Sequence, residues 1–215
     1  MLYLDNNSTT KIDKEILDEM LPFLHESYGN SASRTHKFGW DANDAVKLAR
    51  ERVAQLINAK SDEITFNSGS TEGINFIIKG IFEEYTPKRN HIITVKTEHK
   101  AVLDVCTYLE TKGADVTYLK VDKYGLIDLE ELKKAITAKT VLISVMYANN
   151  ETGVIQEIKE IGNIARKNNV FFMTDATQAI GKIPVDVVED NIDMLTLSAH
   201  KLYGPKGVGA VYIKR

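Results

Sequence analysis

Short runs of apolar, mostly β-branched residues alternate along this chain with amphipathic segments, and this alternation limits the possible folds more than any other feature. Several runs are apolar at every position, as in strands that are covered on both faces. Between two of them, Ile158, Ile161 and Ile164 recur at helical spacing. Such strand–helix alternation predicts an α/β fold with a mostly parallel sheet flanked by helices. The predicted strands are Glu63–Phe66, His91–Val95, Val116–Leu119, Val141–Val145, Val170–Thr174, Met194–Leu197 and Ala210–Ile213, and the predicted helices lie near Glu15–His25, Asp41–Asn58, Thr71–Glu84, Lys100–Lys112, Leu129–Ile136 and Glu157–Asn168.

Charge and composition exclude several classes of protein. The 30 acidic and 27 basic residues are mixed along the chain, which gives no electrostatic reason to expect nucleic acid or an anionic membrane as a partner. No apolar stretch approaches the roughly 20 residues of a membrane span, and the start, Met1 to Asp5, does not resemble a signal peptide. The single cysteine, Cys106, excludes an internal disulfide and fits a reducing compartment. We therefore expect a cytoplasmic protein, and we predict no metal site.

The first candidate site follows the first predicted strand, because parallel sheets bind ligands beyond the carboxyl ends of their strands. The segment from Asn67 to Gly73 opens a helix and contains glycines followed by the hydroxyl groups of Ser70 and Thr71. Free backbone N–H groups at a helix start can hold a phosphate. A serine or threonine at this position could instead only cap the helix. The missing Gly-Lys-Ser/Thr ending excludes a nucleotide P-loop.

A carboxylate and an amine follow two later strands. Asp175 comes after a buried strand, where a carboxylate is costly unless it is paired or caps a helix, and it could be the counter-ion of a protonated ring nitrogen. Lys201 also follows a buried strand, whereas most lysines lie on solvated faces. Desolvation there would make the amine nucleophilic, as Schiff-base chemistry requires. Lys206 is the competing amine, but its Gly-Pro-Lys-Gly setting is typical of an exposed turn.

Two more strand ends carry polar residues. His99 follows the strand at 91–95, and the adjacent Asn149 and Asn150 follow the strand at 141–145. A lone histidine is more often a hydrogen-bonded structural residue, and two asparagines before a glycine could form a simple turn. Taken together, the strand ends supply a phosphate cradle, a ring counter-ion, an amine and a histidine. Pyridoxal phosphate needs that set, since it has an aldehyde for lysine, a pyridine nitrogen for an acid, and a phosphate.

Six segments, in matching order and spacing, resemble the cysteine desulfurases, which are fold-type I pyridoxal-phosphate enzymes of the class V aminotransferase group. The similarity runs from Tyr3 to the last residue, and the Thr-Glu-His-Lys and Gly-Pro-Lys-Gly sequences resemble desulfurases that supply iron–sulfur cluster assembly. It implies that 15–215 is the large, cofactor-binding domain of such an enzyme and 1–14 an N-terminal segment. The six segments are Tyr3–Thr10, Asn67–Glu72, Thr97–Leu103, Asn149–Gly153, Asp175–Gln178 and Ser198–Lys201.

The resemblance also implies a role for each candidate residue. Lys201 would form the Schiff base with the cofactor and later move protons, and Asp175 would pair with the pyridinium nitrogen. Gln178 would hydrogen-bond the phenolic oxygen of the ring, and His99 would stack on the ring and transfer protons. Asn150 would face the carboxylate side of the substrate. The phosphate would be held by Thr71, Ser198 and His200, with Ser70 nearby.

The implied reaction removes sulfur from L-cysteine and gives L-alanine and an enzyme-bound persulfide. The implied partners are L-cysteine, a second copy of the chain that completes the site in a homodimer, and an iron–sulfur scaffold or another sulfur acceptor. Two alternatives stay open: a related class V lyase or aminotransferase, such as a selenocysteine lyase, and a non-catalytic remnant that binds pyridoxal phosphate. The joint presence of Lys201, Asp175, His99 and Gln178 favours an enzyme.

The resemblance further implies that this chain is a fragment. Family members are longer, and the cysteine that accepts sulfur, the arginine that binds the substrate carboxylate and the small C-terminal domain are expected beyond residue 215. Cys106 is no substitute, because Val102, Val105, Cys106 and Leu109 share one helical face, which predicts a buried and unreactive thiol. We therefore expect this chain alone to be inactive.

Overall fold

A seven-stranded sheet is the central feature of the computed structural model, which describes residues 2–215. The strand order is β1-β7-β6-β5-β4-β2-β3. Strands β2 to β6 are parallel to one another, whereas β7 runs antiparallel to both β6 and β1. The predicted mostly parallel sheet is therefore confirmed. The strands are β1 (Ile64–Asn67), β2 (His91–Val95), β3 (Asp115–Leu119), β4 (Thr140–Ser144), β5 (Phe171–Asp175), β6 (Met194–Ser198) and β7 (Gly209–Ile213).

Six helices accompany the sheet, and none of those in residues 2–215 is long and apolar enough to cross a membrane. The second helix begins at Lys37 rather than at the predicted Asp41, because the ring of His36 caps it by accepting a hydrogen bond from the backbone of Gly39 at 3.2 Å. Short 3-10 turns occur at Ser61–Glu63 and Ala199–Lys201. The helices are α1 (Lys14–His25), α2 (Lys37–Leu56), α3 (Ser70–Tyr85), α4 (Lys100–Glu110), α5 (Leu129–Ala135) and α6 (Ile158–Lys167).

Helices cover both faces of the sheet. Helices α3 and α4 pack on one face, where Ile92 of β2 points, and helices α2, α5 and α6 contribute to the core on the other face, where Ile93 points. All five residues of β2 are buried, as are all five of β4 and of β6. This two-sided burial explains why the strands are apolar at successive positions rather than at alternate ones.

The layered core confines exposed polar side chains to the strand ends. Strands β1, β2, β4, β5 and β6 share one direction, so their carboxyl ends lie at the same edge of the sheet. Helix α1, which has no buried residue, contributes nothing to this core. The division into a segment 1–14 and a domain 15–215 stays a prediction.

The core of the sheet should dominate the stability of the chain. Phe172 of β5 is fully buried, whereas Phe76 of α3 is 60% exposed. We expect Phe172→Ala to lower the free energy of unfolding by about 3–5 kcal/mol through lost burial and an internal cavity. The matched Phe76→Ala change should stay within about 0.5 kcal/mol of the parent chain. Urea unfolding followed by circular dichroism measures both, and equal losses in the two variants would contradict this description of the core.

Candidate active site

A cavity of about 850 Å³ lies at the edge of the sheet where these strands end. The structure brings together every residue that the sequence analysis placed in a site. The cavity is also lined by Lys206, which stands on an exposed turn as predicted. The nine predicted residues that line the cavity are Ser70, Thr71, His99, Asn150, Asp175, Gln178, Ser198, His200 and Lys201.

The start of α3 forms one wall of the cavity. The capping residue is Gly69, with φ at +148°, and it offers no side-chain hydrogen bond, so the alternative of a serine or threonine cap is wrong. The backbone N–H of Ser70 instead donates to the hydroxyl of Ser198 at 2.8 Å. A Cβ atom on Gly209 would lie 2.5 Å from the Cα of Gly69, so this approach of β7 requires glycine. The positive end of the α3 dipole therefore faces a hydroxyl-lined space that suits an anion.

Asp175 is the last residue of β5 and is only 7% exposed. One carboxylate oxygen accepts a hydrogen bond from the backbone of Thr177 at 3.0 Å, and the chain continues into turns rather than a helix, so the side chain is not a helix cap. Burial raises the pKa of Asp175, and hydrogen bonding to Thr177 and the nearby His99 and Lys201 oppose this shift. An added cation beside this carboxyl would favour its charged form.

Lys201 ends the 3-10 turn that follows β6 directly, and its side chain is half-buried. The Nζ atom donates a hydrogen bond to the backbone carbonyl of Asn7. Burial lowers the pKa of the amine, and the charge of Lys182 lowers it further, while Asp175 and Asp5 act in the opposite direction. A lowered pKa raises the share of neutral, nucleophilic amine.

Two histidines approach the cavity from different elements. His99 caps α4, with its Nδ1 accepting the backbone N–H of Ala101 at 3.1 Å, so the neutral ring carries its proton on Nε2. His99 is therefore both a hydrogen-bonded structural residue and a residue of the cavity. The Nδ1 atom of His200 lies 3.0 Å from the hydroxyl of Thr9. Burial lowers the pKa of His200, and the charges of Lys201 and Lys206 lower it further.

The two adjacent asparagines have different parts in the structure. The side-chain oxygen of Asn149 accepts hydrogen bonds from the backbone of Glu151 and Thr152, at 2.8 and 2.9 Å, and so builds the turn. The simple-turn alternative therefore applies to Asn149, and Asn150, which lies in the same turn, also lines the cavity.

Residues 5–10, which we call the strap, are the part of the site to which sequence reasoning gave no role. Asp5, Asn7, Ser8 and Thr9 line the cavity. The carbonyl of Asn7 accepts from Lys201 and also from the side-chain amide of Gln178, the latter at 2.9 Å. The only local signal was an unusual run of amide and hydroxyl side chains before the first helix.

Fold and site together are those of the large domain of a fold-type I α/β enzyme. The chain belongs to the class V aminotransferase family, because the model of that family, described as "Aminotransferase class-V", matches residues 2–215.

Similar proteins narrow this assignment. A probable mitochondrial cysteine desulfurase of Dictyostelium discoideum is 56% identical over 214 residues, which are 100% of this chain and 48% of that protein. A solved NifS-like protein superposes with a TM-score of 0.97 at 44% identity, over 100% of this chain and 59% of that one. SspA, solved in complex with cysteine, gives a TM-score of 0.96 at 41% identity, over 99% of this chain and 61% of that one. The resemblance to cysteine desulfurases is thus confirmed, and the chain spans about half the length of the curated relatives it matches.

The residues of the cavity fit pyridoxal phosphate. Lys201 offers an amine for the aldehyde, and Asp175 offers a buried acid for the pyridine nitrogen, close enough that the charges of the two side chains interact. The start of α3, with the hydroxyls of Ser70 and Ser198, offers an anion site. The volume also lies within the roughly 300–1,000 Å³ of small-molecule sites.

The buried acid should make the cofactor-free chain less stable at neutral pH. Because folding raises the pKa of Asp175, the folded state keeps this proton where the unfolded state has lost it. Stability therefore falls as pH rises from about 4 through the folded-state pKa. We expect Asp175→Asn, which cannot ionise, to be more stable than the parent chain at pH 7, with the difference shrinking towards pH 4. Urea unfolding at both pH values measures this, and a difference independent of pH would contradict it.

Proposed function

We propose that this chain forms the pyridoxal-phosphate-binding part of a cysteine desulfurase, which converts L-cysteine to L-alanine and leaves the sulfur as a persulfide on a protein thiol. One observation carries the proposal: Asp175 ends β5, Lys201 follows the adjacent parallel strand β6, and both line the same cavity as the start of α3. The identity to cysteine desulfurases along the whole chain supports the reaction. The neighbour solved with cysteine supports the substrate class.

The cavity divides into regions for the parts of the cofactor and the substrate. Asp175 would hold the pyridine nitrogen, and Gln178 the phenolic oxygen. His99 would contact the ring, and Asn150 would lie on the side of the substrate carboxylate. The phosphate would be held by Ser70, Thr71, Ser198 and His200.

Pyridoxal phosphate, when bound, supplies an aldehyde for the substrate amine and an electron-withdrawing ring that stabilises negative charge beside that amine. Asp175 keeps the ring nitrogen protonated by a charge-assisted hydrogen bond. Lys201, with its lowered pKa, takes and returns a proton at Nζ. His99 holds a second proton at Nε2, since its Nδ1 is occupied by the backbone of Ala101. Two proton carriers therefore face one cavity.

The net reaction needs a thiol in addition to the cavity. The carbon–sulfur bond of L-cysteine breaks, a carbon–hydrogen bond replaces it, and the sulfur atom joins the acceptor thiol to give a persulfide. Cys106 is unsuited to this, because it is fully buried in α4 and burial raises the pKa of its thiol to about 12, with Glu98 and Glu110 adding to the shift. We therefore place the acceptor cysteine, and an arginine for the substrate carboxylate, in the part of the relatives that this chain does not cover.

Apolar surface outside the cavity supports a larger assembly. Leu21, Phe23 and Leu24 of α1 and Trp40 of α2 are all between 42% and 68% exposed, so two helices present large apolar side chains to solvent. We propose that the remainder of the full-length enzyme and a second copy in a homodimer cover this surface. An iron–sulfur scaffold, or another sulfur acceptor, would receive the persulfide sulfur.

The cytoplasmic location stays a prediction from the composition. The Dictyostelium relative is named as mitochondrial, so compartments differ among relatives.

The cofactor lysine can be identified by chemical trapping. The chain incubated with pyridoxal phosphate and then reduced with borohydride should carry the label on the peptide that contains Lys201. Lys201→Ala should lose at least about nine-tenths of the label, since Lys201 lies in the cavity near Asp175 and burial lowers the pKa of its amine. Lys206→Ala is the matched control, because Lys206 lines the same cavity on an exposed turn and should keep the label. A label on Lys206 would overturn the assignment.

The chain alone should release no alanine or sulfide from L-cysteine, because its one thiol is buried and has a pKa of about 12. Adding the C-terminal half of a full-length desulfurase should produce activity that Lys201→Ala abolishes. Cys106→Ser should leave that activity within about twofold, because Cys106 takes no part in the transfer. Alanine production by the chain alone, surviving Cys106→Ser, would show that the acceptor thiol is not needed.

A further inference from the structure

Glu98 is a buried carboxyl group to which the proposed reaction gives no role. It lies between the end of β2 and His99, and only 6% of its surface is exposed. One carboxyl oxygen, Oε1, accepts a hydrogen bond from the backbone N–H of Met146 at 2.5 Å. The other, Oε2, is buried and has no hydrogen-bond partner among residues 2–215. A buried carboxyl with one unpartnered oxygen is costly as an anion and far less so when that oxygen carries a proton.

The contacts of Glu98 join two strand ends that line the cavity. Met146 follows β4, and the next residue, Tyr147, donates its backbone N–H to the carbonyl of Asp175 at 2.9 Å. A second tie runs parallel to the first, since the side-chain amide of Asn149 donates to the carbonyl of Thr97 at 2.9 Å. Together these bonds connect the β2 end to the β4 end and the β4 end to Asp175. They thereby fix the spacing between His99 and Asp175 across the cavity.

The groups around Glu98 also favour its protonated form. Burial raises the pKa of Glu98 well above its usual range, the hydrogen bond from Met146 opposes this, and the nearby Asp175 carboxyl raises it further. The thiol of Cys106, on α4, is a third ionisable group close enough to interact with Glu98. When two acids share a site in this way, one takes the proton and the other the charge. His99 and Lys201 favour the charged form of Asp175, and no such group in the described part of the chain favours that of Glu98, so Asp175 is the one left to ionise.

We propose that Glu98 is a positioning residue of the active site, acting as a neutral carboxylic acid that ties the end of β2 to the end of β4 and leaves the negative charge to Asp175. The proposal rests on the proposed function only in taking the cavity as the cofactor site. The tie and the protonation state are properties of the chain without cofactor, and they can be measured there.

Two measurements on the cofactor-free chain test the hydrogen bond between Glu98 and Met146 and the protonation state of Glu98. Hydrogen exchange at the amide of Met146 should be slow in the parent chain and in Glu98→Gln, whose side-chain oxygen still accepts, and roughly tenfold faster in Glu98→Leu. Glu63→Gln is the matched control. Glu63 is also buried, but it accepts hydrogen bonds from the backbone of Lys60 and Arg215, so this variant should not change exchange at Met146.

The infrared spectrum at pH 7 should show the carbonyl stretch of a protonated carboxylic acid. That band should disappear in Glu98→Gln and persist in Asp175→Asn.

A third readout connects Glu98 to the cofactor. The dissociation constant for pyridoxal phosphate should change less than about twofold in Glu98→Gln and rise at least about tenfold in Glu98→Leu, because only the first variant keeps the acceptor for Met146. If the parent chain does not bind pyridoxal phosphate, the proposed function fails while exchange and infrared data still decide the role of Glu98. If Glu98→Leu does not fold, the infrared comparison with Glu98→Gln remains. An infrared band that survives Glu98→Gln, or exchange at Met146 that is equal in parent and Glu98→Leu, overturns the proposal.

Discussion

Burial of both faces of the sheet is the constraint on which the rest of this structure depends. Helices pack on each face, so β2, β4 and β6 have no solvated side for a charged residue. Polar chemistry is therefore pushed to the ends of the strands, and parallel pairing gathers those ends along one edge. The cavity is a consequence of how the sheet is covered, and its residues come from segments that are far apart in sequence.

That arrangement has an electrostatic cost at its centre. Asp175 is 7% exposed and Glu98 is 6% exposed, and burial raises the pKa of both carboxyls. Two desolvated acids near the ends of β2 and β5 oppose folding, whereas replacement by apolar side chains would relieve this. Buried acids with raised pKa values in one region are a common feature of functional sites. The amine of Lys201, itself partly desolvated, supplies part of the compensating charge.

Much of this could be predicted from the sequence, for identifiable reasons. Continuous apolar runs located the strands to within about a residue of their observed bounds because two-sided burial leaves a strong local signal. The residues Asp175 and Lys201 were found because charged groups directly after such runs are unusual. The order of the strands and the antiparallel direction of β7 left no local signal, since pairing is decided by contacts between distant segments. Glu98 was missed because, within Thr-Glu-His-Lys, it resembles an ordinary surface charge.

The strap has a consequence for the time at which the site is assembled. Thr10 contacts His200 across 190 residues of chain, and Asn7 contacts Lys201 across 194. Contacts between such distant positions form late in folding, because the chain between them must first be ordered. On the ribosome, the strap emerges long before its partners at the other end of the chain exist. The amine of Lys201 consequently meets its hydrogen-bond acceptor on Asn7 only after both ends of the chain have been synthesised.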